Sequence, residues 1–370
     1  MRVVGLLVLM LMNTTALAAQ ARSEIDSIFR PLVAPRSPGV AVLVRKNGRT
    51  VFQRGYGVRD LRTLGKIDAY TDFRLASCTK QFTAMATMLL VHDGKLKYDT
   101  RLTDIFPDFP DYGRAITVRH LLTHTSGLPD YEDLMGEIWT PTHQIQDEEA
   151  LSLLKQAKPK FAPGTSWAYS NSGYVVLGLI VARLSGVAFP QFLHDRIFQP
   201  LHMNGSLAYV KGSNIVPNRA FGHIKENDHF IESDQSATSA TLGDGGIYSN
   251  LDDLARWDAA LESQLILSQK EMGVALQPVR LADGSEPRWP ENPGDDNLNP
   301  GKPVAYGFGW FLDPYKTHAR MWHFGSTMGF RTAVERFAHE ELTVIILCNR
   351  TDLDPGVLAR QVADLVMRDR

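Results

Sequence analysis

Residues 40–56 read VAVLVRKNGRTVFQRGY, and the fold follows from how this stretch is parsed. Val40, Val42 and Val44 alternate with other residues, Asn47-Gly48 supplies the two positive φ angles of a tight turn, and Val51 to Tyr56 runs back. The segment Gly39–Gly57 is therefore expected to be a β-hairpin. A counterpart closes the chain. Thr332–Phe337 and Leu342–Cys348 read as two strands around Ala338-His339-Glu340-Glu341, and Pro355–Met367 reads as a helix with proline in its first turn. Ser23–Phe29 has the pattern of a matching N-terminal helix. Between about Lys80 and Leu261 the apolar residues recur at helical spacing, in Phe82–Val91, Glu149–Leu154, Tyr174–Leu184 and Leu251–Leu261. Strands at both ends and helices between them predict an α/β (α+β) chain: one central antiparallel sheet assembled from the two termini and flanked by helices, plus a mostly helical lobe. A single domain is expected over 22–370, with the α/β lobe at 22–75 and 305–370 and the helical lobe at 76–304.

The 370 residues carry 39 basic and 41 acidic side chains, a formal charge of −2. That balance argues against a nucleic-acid or membrane surface. Residues 1–21 stand apart. Arg2 precedes the apolar run Val3–Met12, and small residues follow at Ala16-Leu17-Ala18 and Ala19-Gln20-Ala21. This is the layout of a signal peptide cleaved after Ala18 or Ala21, with a retained N-terminal membrane anchor as the alternative, so export to the periplasm or medium is expected. The apolar run is about half of what a membrane-spanning helix needs, and no later stretch approaches ~18 apolar residues, so no membrane span is expected in the mature chain. Two cysteines, Cys78 and Cys348, are too few for a disulfide framework or a cysteine-rich zinc site. A Cys78–Cys348 bridge is conceivable in an oxidising compartment. The stretch Leu281–Pro303 holds five prolines and five acidic residues. It reads as a long loop that precedes a strand at Tyr306–Leu312 and either borders a site or is a surface insertion.

The common catalytic signatures are absent: there is no G-x-S-x-G, H-E-x-x-H, G-x-x-x-x-G-K-[ST] or G-x-G-x-x-G. What does appear is Ser77-Cys78-Thr79-Lys80. Positions i and i+3 share a helix face, so an amine would lie within reach of the serine hydroxyl, which is a weak nucleophile until a base takes its proton. A serine at a helix N-terminus also has free backbone N–H groups beside it for a developing oxyanion. The helix is expected to run on to His92 and stop at Gly94. The pattern is short, and the chain contains decoys: Ser152-Leu153-Leu154-Lys155 has the same spacing, and Tyr248-Ser249-Asn250 repeats Tyr169-Ser170-Asn171.

Order discriminates. Ser77–Lys80, then Tyr169–Asn171, then Trp322-His323-Phe324-Gly325-Ser326 fall in succession, the last just ahead of the C-terminal strands. With His120-Leu121-Leu122-Thr123-His124-Thr125-Ser126-Gly127-Leu128 and the segment Gly245–Trp257, nearly the whole chain past residue 21 resembles the class C β-lactamase-like serine hydrolases. That family also contains penicillin-binding DD-peptidases, esterases and D-aminopeptidases. The resemblance implies the serine β-lactamase/DD-peptidase fold and an acyl-enzyme chemistry. Ser77 would be the nucleophile, Tyr169 the general base and Lys80 its partner. Asn171, His323, Gly325 and Ser326 would line the substrate and oxyanion side. Tyrosine and lysine titrate near 10 and 10.4, so bringing either to ~7 requires roughly 4 kcal/mol from burial and neighbouring charge.

One element departs from the family's pattern. Where β-lactamases carry Lys-Thr-Gly, this chain has His323-Phe324-Gly325. The permanent cation and the hydroxyl suited to a substrate carboxylate are gone, which favours esters or amides without an essential carboxylate. An ordinary histidine gains its charge below ~6.5, so carboxylate affinity would be expected to rise as pH falls through that value. His120 and His124 read as loop braces. Tyr306, Trp310 and Trp322 read as core or as an acyl-pocket wall, and Cys78 as a buried apolar residue. The expected function is an exported serine hydrolase of ester or amide bonds in a small-molecule or peptide substrate. The alternatives are a true β-lactamase or DD-peptidase, and a non-turnover binding or sensor protein. No metal and no other cofactor are implied, no nucleic acid is expected, and the oligomeric state is not legible in the sequence.

Overall fold

The computed structural model describes residues 20–291 and 299–368. The expected signal peptide falls almost wholly outside these residues. A five-stranded antiparallel sheet runs in the order β2-β1-β10-β9-β8. Its strands are β1 (Val40–Lys46), β2 (Arg49–Tyr56), β8 (Met321–Thr327), β9 (Phe330–Phe337) and β10 (Leu342–Cys348). The first hairpin turns at Asn47 and Gly48 with φ of 50° and 71°, the left-handed pair that a two-residue turn demands. β1 then pairs with β10 from Val40↔Cys348 to Lys46↔Leu342, which joins the two ends of the chain.

β1 and β10 are buried on both faces, and their side chains divide strictly by parity. Val40, Val42, Val44, Val344, Ile346 and Cys348 point into one core, shared with Phe29 of α1 (residues 20–29) and Leu358 and Val362 of α10 (Pro355–Arg368). Ala41, Leu43, Ile345 and Leu347 point into the other. That second core contains most of the helical lobe: α2 (Lys80–His92), α3 (Leu102–Ile105), α4 (Val118–Leu122), α5 (Asp147–Gln156), α6 (Asn171–Ser185), α7 (Phe189–Leu193), α8 (Leu251–Ser263) and α9 (Gln269–Ala275). Each fully buried aliphatic side chain contributes roughly 1.5–3 kcal/mol, so a one-residue slip of β1 would exchange the two cores' contents and is excluded. Cys78 lies in the second core and Cys348 in the first, on opposite faces of the sheet, and both are free thiols. The conceivable bridge between them does not form.

Two small sheets interrupt the helical lobe and had no clear sequence signal. Strands β3 (Phe73–Arg74), β7 (Ile247–Ser249) and β4 (Leu207–Ala208) form one, and the hairpin β5 (His223–Glu226) with β6 (His229–Glu232) forms the other. The strand expected at Tyr306–Leu312 is replaced by isolated bridges, Tyr306↔Phe311 and Phe311↔Trp322. Gly309, at φ +75°, brings this segment against the backbone of Lys80 and Gln81, a path that an extended strand could not follow. The described flanks of the preceding loop are anchored. Arg288 bridges Pro303, and Trp289, 4% exposed, stacks on Phe311 at 5.5 Å.

Candidate active site

β3 runs directly into the turn that carries Ser77. Leu75 has ordinary helical angles, but Ala76 takes φ +48°, a costly conformation for a residue with a Cβ. It bends the chain from β3 into a 3₁₀ turn, Ala76–Thr79, which continues as α2. Lys80 follows one turn after Ser77 and is completely buried. Its ammonium donates to Ser77 Oγ at 3.1 Å, to Asn171 Oδ1 at 2.8 Å and to the carbonyl of Asp244 at 3.1 Å. The same nitrogen lies 4.8 Å from the centre of the Tyr169 ring. Four of the residues singled out in the sequence thus converge on one point.

The Tyr169-Ser170-Asn171 turn is held from below. Asn171 begins α6, and its N–H donates to Asp130 Oδ2 at 2.7 Å, an anion satisfying a helix N-terminus. Asn171 Nδ2 faces Glu132 Oε1 at 3.4 Å. His124, at φ +58°, accepts the Ser170 N–H on Nδ1 at 3.2 Å, and its ring packs 4.5 Å from that of Tyr169. Burial, with the Lys80 charge nearby, holds His124 well below the usual histidine range. His120 closes a capping box with Thr117 at the start of α4. Both histidines act as braces.

The third element supplies a wall. His323 is 1% exposed; its Nδ1–H donates to the Phe324 carbonyl at 2.7 Å, which leaves Nε2 to accept from the Tyr306 hydroxyl at 3.2 Å. Burial and the Lys80 charge push it down to about 3. The expected gain of charge near pH 6.5 therefore does not occur: the ring is sealed among Tyr169, Tyr306 and Phe311. Phe324 points to the other face of the sheet, against Trp322 at 4.4 Å and the backbone of Gly356, and so is turned away from the His323 ring.

Gly325 has a role the sequence did not reveal. A Cβ there would lie 2.1 Å from the Leu75 carbonyl and 2.3 Å from Thr332 Oγ1, so its bareness lets β8 close on the turn before Ser77, not on a ligand. Thr332 Oγ1 donates to the Leu75 carbonyl at 2.8 Å, and Cys78 Sγ to the His323 carbonyl at 3.2 Å, which fastens turn and strand together. Ser326 is exposed on β8, opposite Arg331. Trp310 and Trp322 are buried, Trp310 in the main core and Trp322 in a cluster with Trp167, Trp289, Tyr306 and Phe311 that backs this wall.

The decoys are structural. Ser152 is bonded to the Glu148 carbonyl and Lys155 to Asp108 on the surface of α5. Asn250 caps α8 through the Asp253 N–H at 2.9 Å. The sequence reading missed Asp130, Glu132 and the Asp244 carbonyl. The first two directly follow the quoted His120–Leu128 segment, but the third is brought in by a distant loop with no local signature. Among the described residues no group of three or more His, Cys, Asp or Glu is placed to hold a metal ion.

A serine, a buried lysine, a tyrosine and an asparagine gathered between an antiparallel sheet and a helical lobe define a class of protein, the β-lactamase-like serine hydrolases. The Beta-lactamase family model matches residues 25–367, and the chain belongs to that family. Among relatives, the chain is 29% identical over 348 residues to penicillin-binding protein 4* of Bacillus subtilis (strain 168), covering 90% of this chain and 72% of the relative. Among solved structures, a D-amino acid amidase from Ochrobactrum anthropi SV3, complexed with L-phenylalanine amide, superposes with a TM-score of 0.77 at 25% identity, covering 95% of this chain and 99% of the other. A penicillin-binding protein from Bacillus halodurans gives 0.71 at 26% identity, with coverages of 89% and 95%.

Proposed function

We propose that the protein is an exported serine hydrolase that cleaves ester or amide bonds through an acyl-enzyme. The observation that carries this reading is the contact of the buried Lys80 ammonium with both Ser77 Oγ and Asn171 Oδ1. Ser77 Oγ attacks the substrate carbonyl, and its proton passes to the unprotonated member of the Lys80–Tyr169 pair. The N–H groups of Ser77 and Ser326 receive the oxyanion. The C–N or C–O bond then breaks as the leaving group takes the proton. Water, deprotonated by the same pair, attacks the acyl carbon, and the pair returns that proton to Ser77 Oγ as the acyl–oxygen bond breaks and the acid leaves.

The charges around the site support substrates without an essential carboxylate. His323, in the position where β-lactamases carry lysine, is neutral, and Asp130 and Glu132 flank Asn171. The likeness to a D-amino acid amidase points the same way. The likeness to penicillin-binding proteins favours a second reading, a DD-peptidase or true β-lactamase. Steady-state turnover of a short-acyl nitrophenyl ester, an amino acid amide and a chromogenic cephalosporin separates the two. The first reading expects turnover of the ester or amide, lost in Ser77→Ala, and little of the cephalosporin; efficient cephalosporin turnover establishes the second. Stoichiometric acylation without turnover of any of them would instead identify a sensor. Export is tested by the N-terminus of the mature protein, expected at Ala19 or Arg22.

A further inference from the structure

Away from Ser77, a cleft of about 380 Å³ opens between the turn after β2 and the segment that joins β4 to β5, within the size range of small-molecule sites. Its apolar walls are Tyr209, Ile215, Val216 and Phe221. Ile215 is 82% exposed on the rim, an unusual position for a large aliphatic side chain in a concave site.

The polar groups of the cleft are unevenly satisfied. The Asp60 carboxylate is fully engaged, by the Arg62 N–H at 2.9 Å, Arg62 Nε at 2.8 Å and Thr63 Oγ1 at 3.3 Å. Asn214 is engaged at both ends, by the Val210 N–H and the Ala208 carbonyl, each at 2.9 Å. The two arginines of the cleft are engaged to different degrees. Arg219 gives one nitrogen to Asp234 and Tyr248 and is also bonded to Tyr209. The Arg59 guanidinium lies over Gly65 with no hydrogen bond or ion pair among the described residues. A guanidinium fork matches a carboxylate. The Arg219 guanidinium is also stacked near the rings of Tyr209 at 4.8 Å and Phe221 at 5.1 Å, which fixes its plane beside the apolar wall.

We propose that this cleft is a second, non-catalytic binding site for an organic carboxylate bearing a ring or branched apolar group, the carboxylate on Arg59 and Arg219 and the apolar part between Tyr209, Phe221 and Ile215. The site is independent of the acyl-enzyme chemistry. Benzoate is the probe, with benzamide as its uncharged counterpart and acetate as its headgroup alone, titrated calorimetrically into the full chain. Benzoate binds at least tenfold more tightly than either control, equally well to wild type and Ser77→Ala. Arg59→Gln, at a side chain with no partner to lose, weakens it at least tenfold without lowering the melting temperature. Ile215→Asp, on the exposed rim, weakens it as well by setting a like charge beside the ligand. Undetectable benzoate binding, benzamide or acetate binding as well as benzoate, retained affinity in Arg59→Gln or Ile215→Asp, or loss in Ser77→Ala would each overturn the proposal, the last by placing benzoate in the catalytic site.

Discussion

Lys80 Nζ stands 3.1 Å from Ser77 Oγ, and the same completely buried side chain also donates to Asn171 Oδ1 and to the Asp244 carbonyl. These two carbonyl acceptors aim the amine at the hydroxyl. Replacing Lys80 by methionine keeps the apolar stem and removes the nitrogen. On the proposed mechanism this lowers the acylation rate by about 10² to 10⁴, the range of a general base. The burst of nitrophenolate from an activated ester measures it, with circular dichroism checking that the fold persists. A burst within threefold of wild type would remove Lys80 from the proton path.

The bareness of Gly325 is a steric requirement, because a methyl group there would overlap the Leu75 carbonyl and Thr332 Oγ1. Gly325→Ala must push β8 away from the turn that carries Ser77. Overpacking of this kind costs about 1–3 kcal/mol, and the displacement also widens the gap between Ser77 and Ser326. Both a lower melting temperature and a loss of kcat larger than any change in KM are expected. An alanine variant with wild-type stability and rate would show that strand and turn are not locked together.

His323 should not titrate anywhere in the working range of the protein. Its ring is held at about 3 by burial and the Lys80 charge, so kcat/KM should have no inflection near 6.5 that His323→Gln removes. The linkage to stability has a definite sign. The unfolded chain protonates this histidine below ~6.5 while the folded chain does not, so stability is intact above ~6.5 and falls as pH drops from there toward 3, by up to about 1.4 kcal/mol per unit. His124, depressed for the same reason, adds to the slope. Nuclear magnetic resonance of the ring protons gives the direct reading: a His323 shift that moves between pH 5 and 8 contradicts this account.

Asp147 has the opposite linkage. Burial, reinforced by Asp244, pushes its carboxyl up to about 8, while Oδ1 accepts the Leu242 N–H at 3.0 Å. Between ~3.9 and 8 the folded chain keeps a proton that the unfolded chain has lost, so stability falls as pH rises through that window. Asp147→Asn preserves the acceptor and removes the titration. Its denaturation midpoint relative to wild type should therefore rise from pH 5 to pH 8; a constant difference would show that the carboxyl is ionised in the fold.

The parts of the structure legible in sequence are those where one local rule dominates. The expected hairpin, the paired C-terminal strands and the helices at 82–91, 149–154, 174–184 and 251–261 all lie inside observed elements. Alternation, Asn47-Gly48 and helical spacing act within a few residues, so they can be read without the rest of the chain. Strands β3, β4 and β7 could not, because their partners are far away in sequence, and all of β3 to β7, the local hairpin β5–β6 included, carry too few residues for a period. Burial explains the errors at the site as well. His323 has an ordinary titration in sequence and one pushed down to about 3 in the fold, Phe324 turned out to face α10, and the Asp244 carbonyl reaches Lys80 through a loop 164 residues later. What spacing conveys is which groups share a helix turn, as Ser77 and Lys80 do; it does not convey which groups are dry.

The central claim is that Ser77 becomes acylated. Intact-protein mass spectrometry of the enzyme quenched during turnover of an activated ester, followed by peptide mapping, tests it directly. The account predicts one acyl adduct per chain, located on Ser77 and absent in Ser77→Ala. An adduct on another residue, or turnover that persists undiminished in Ser77→Ala, would contradict it.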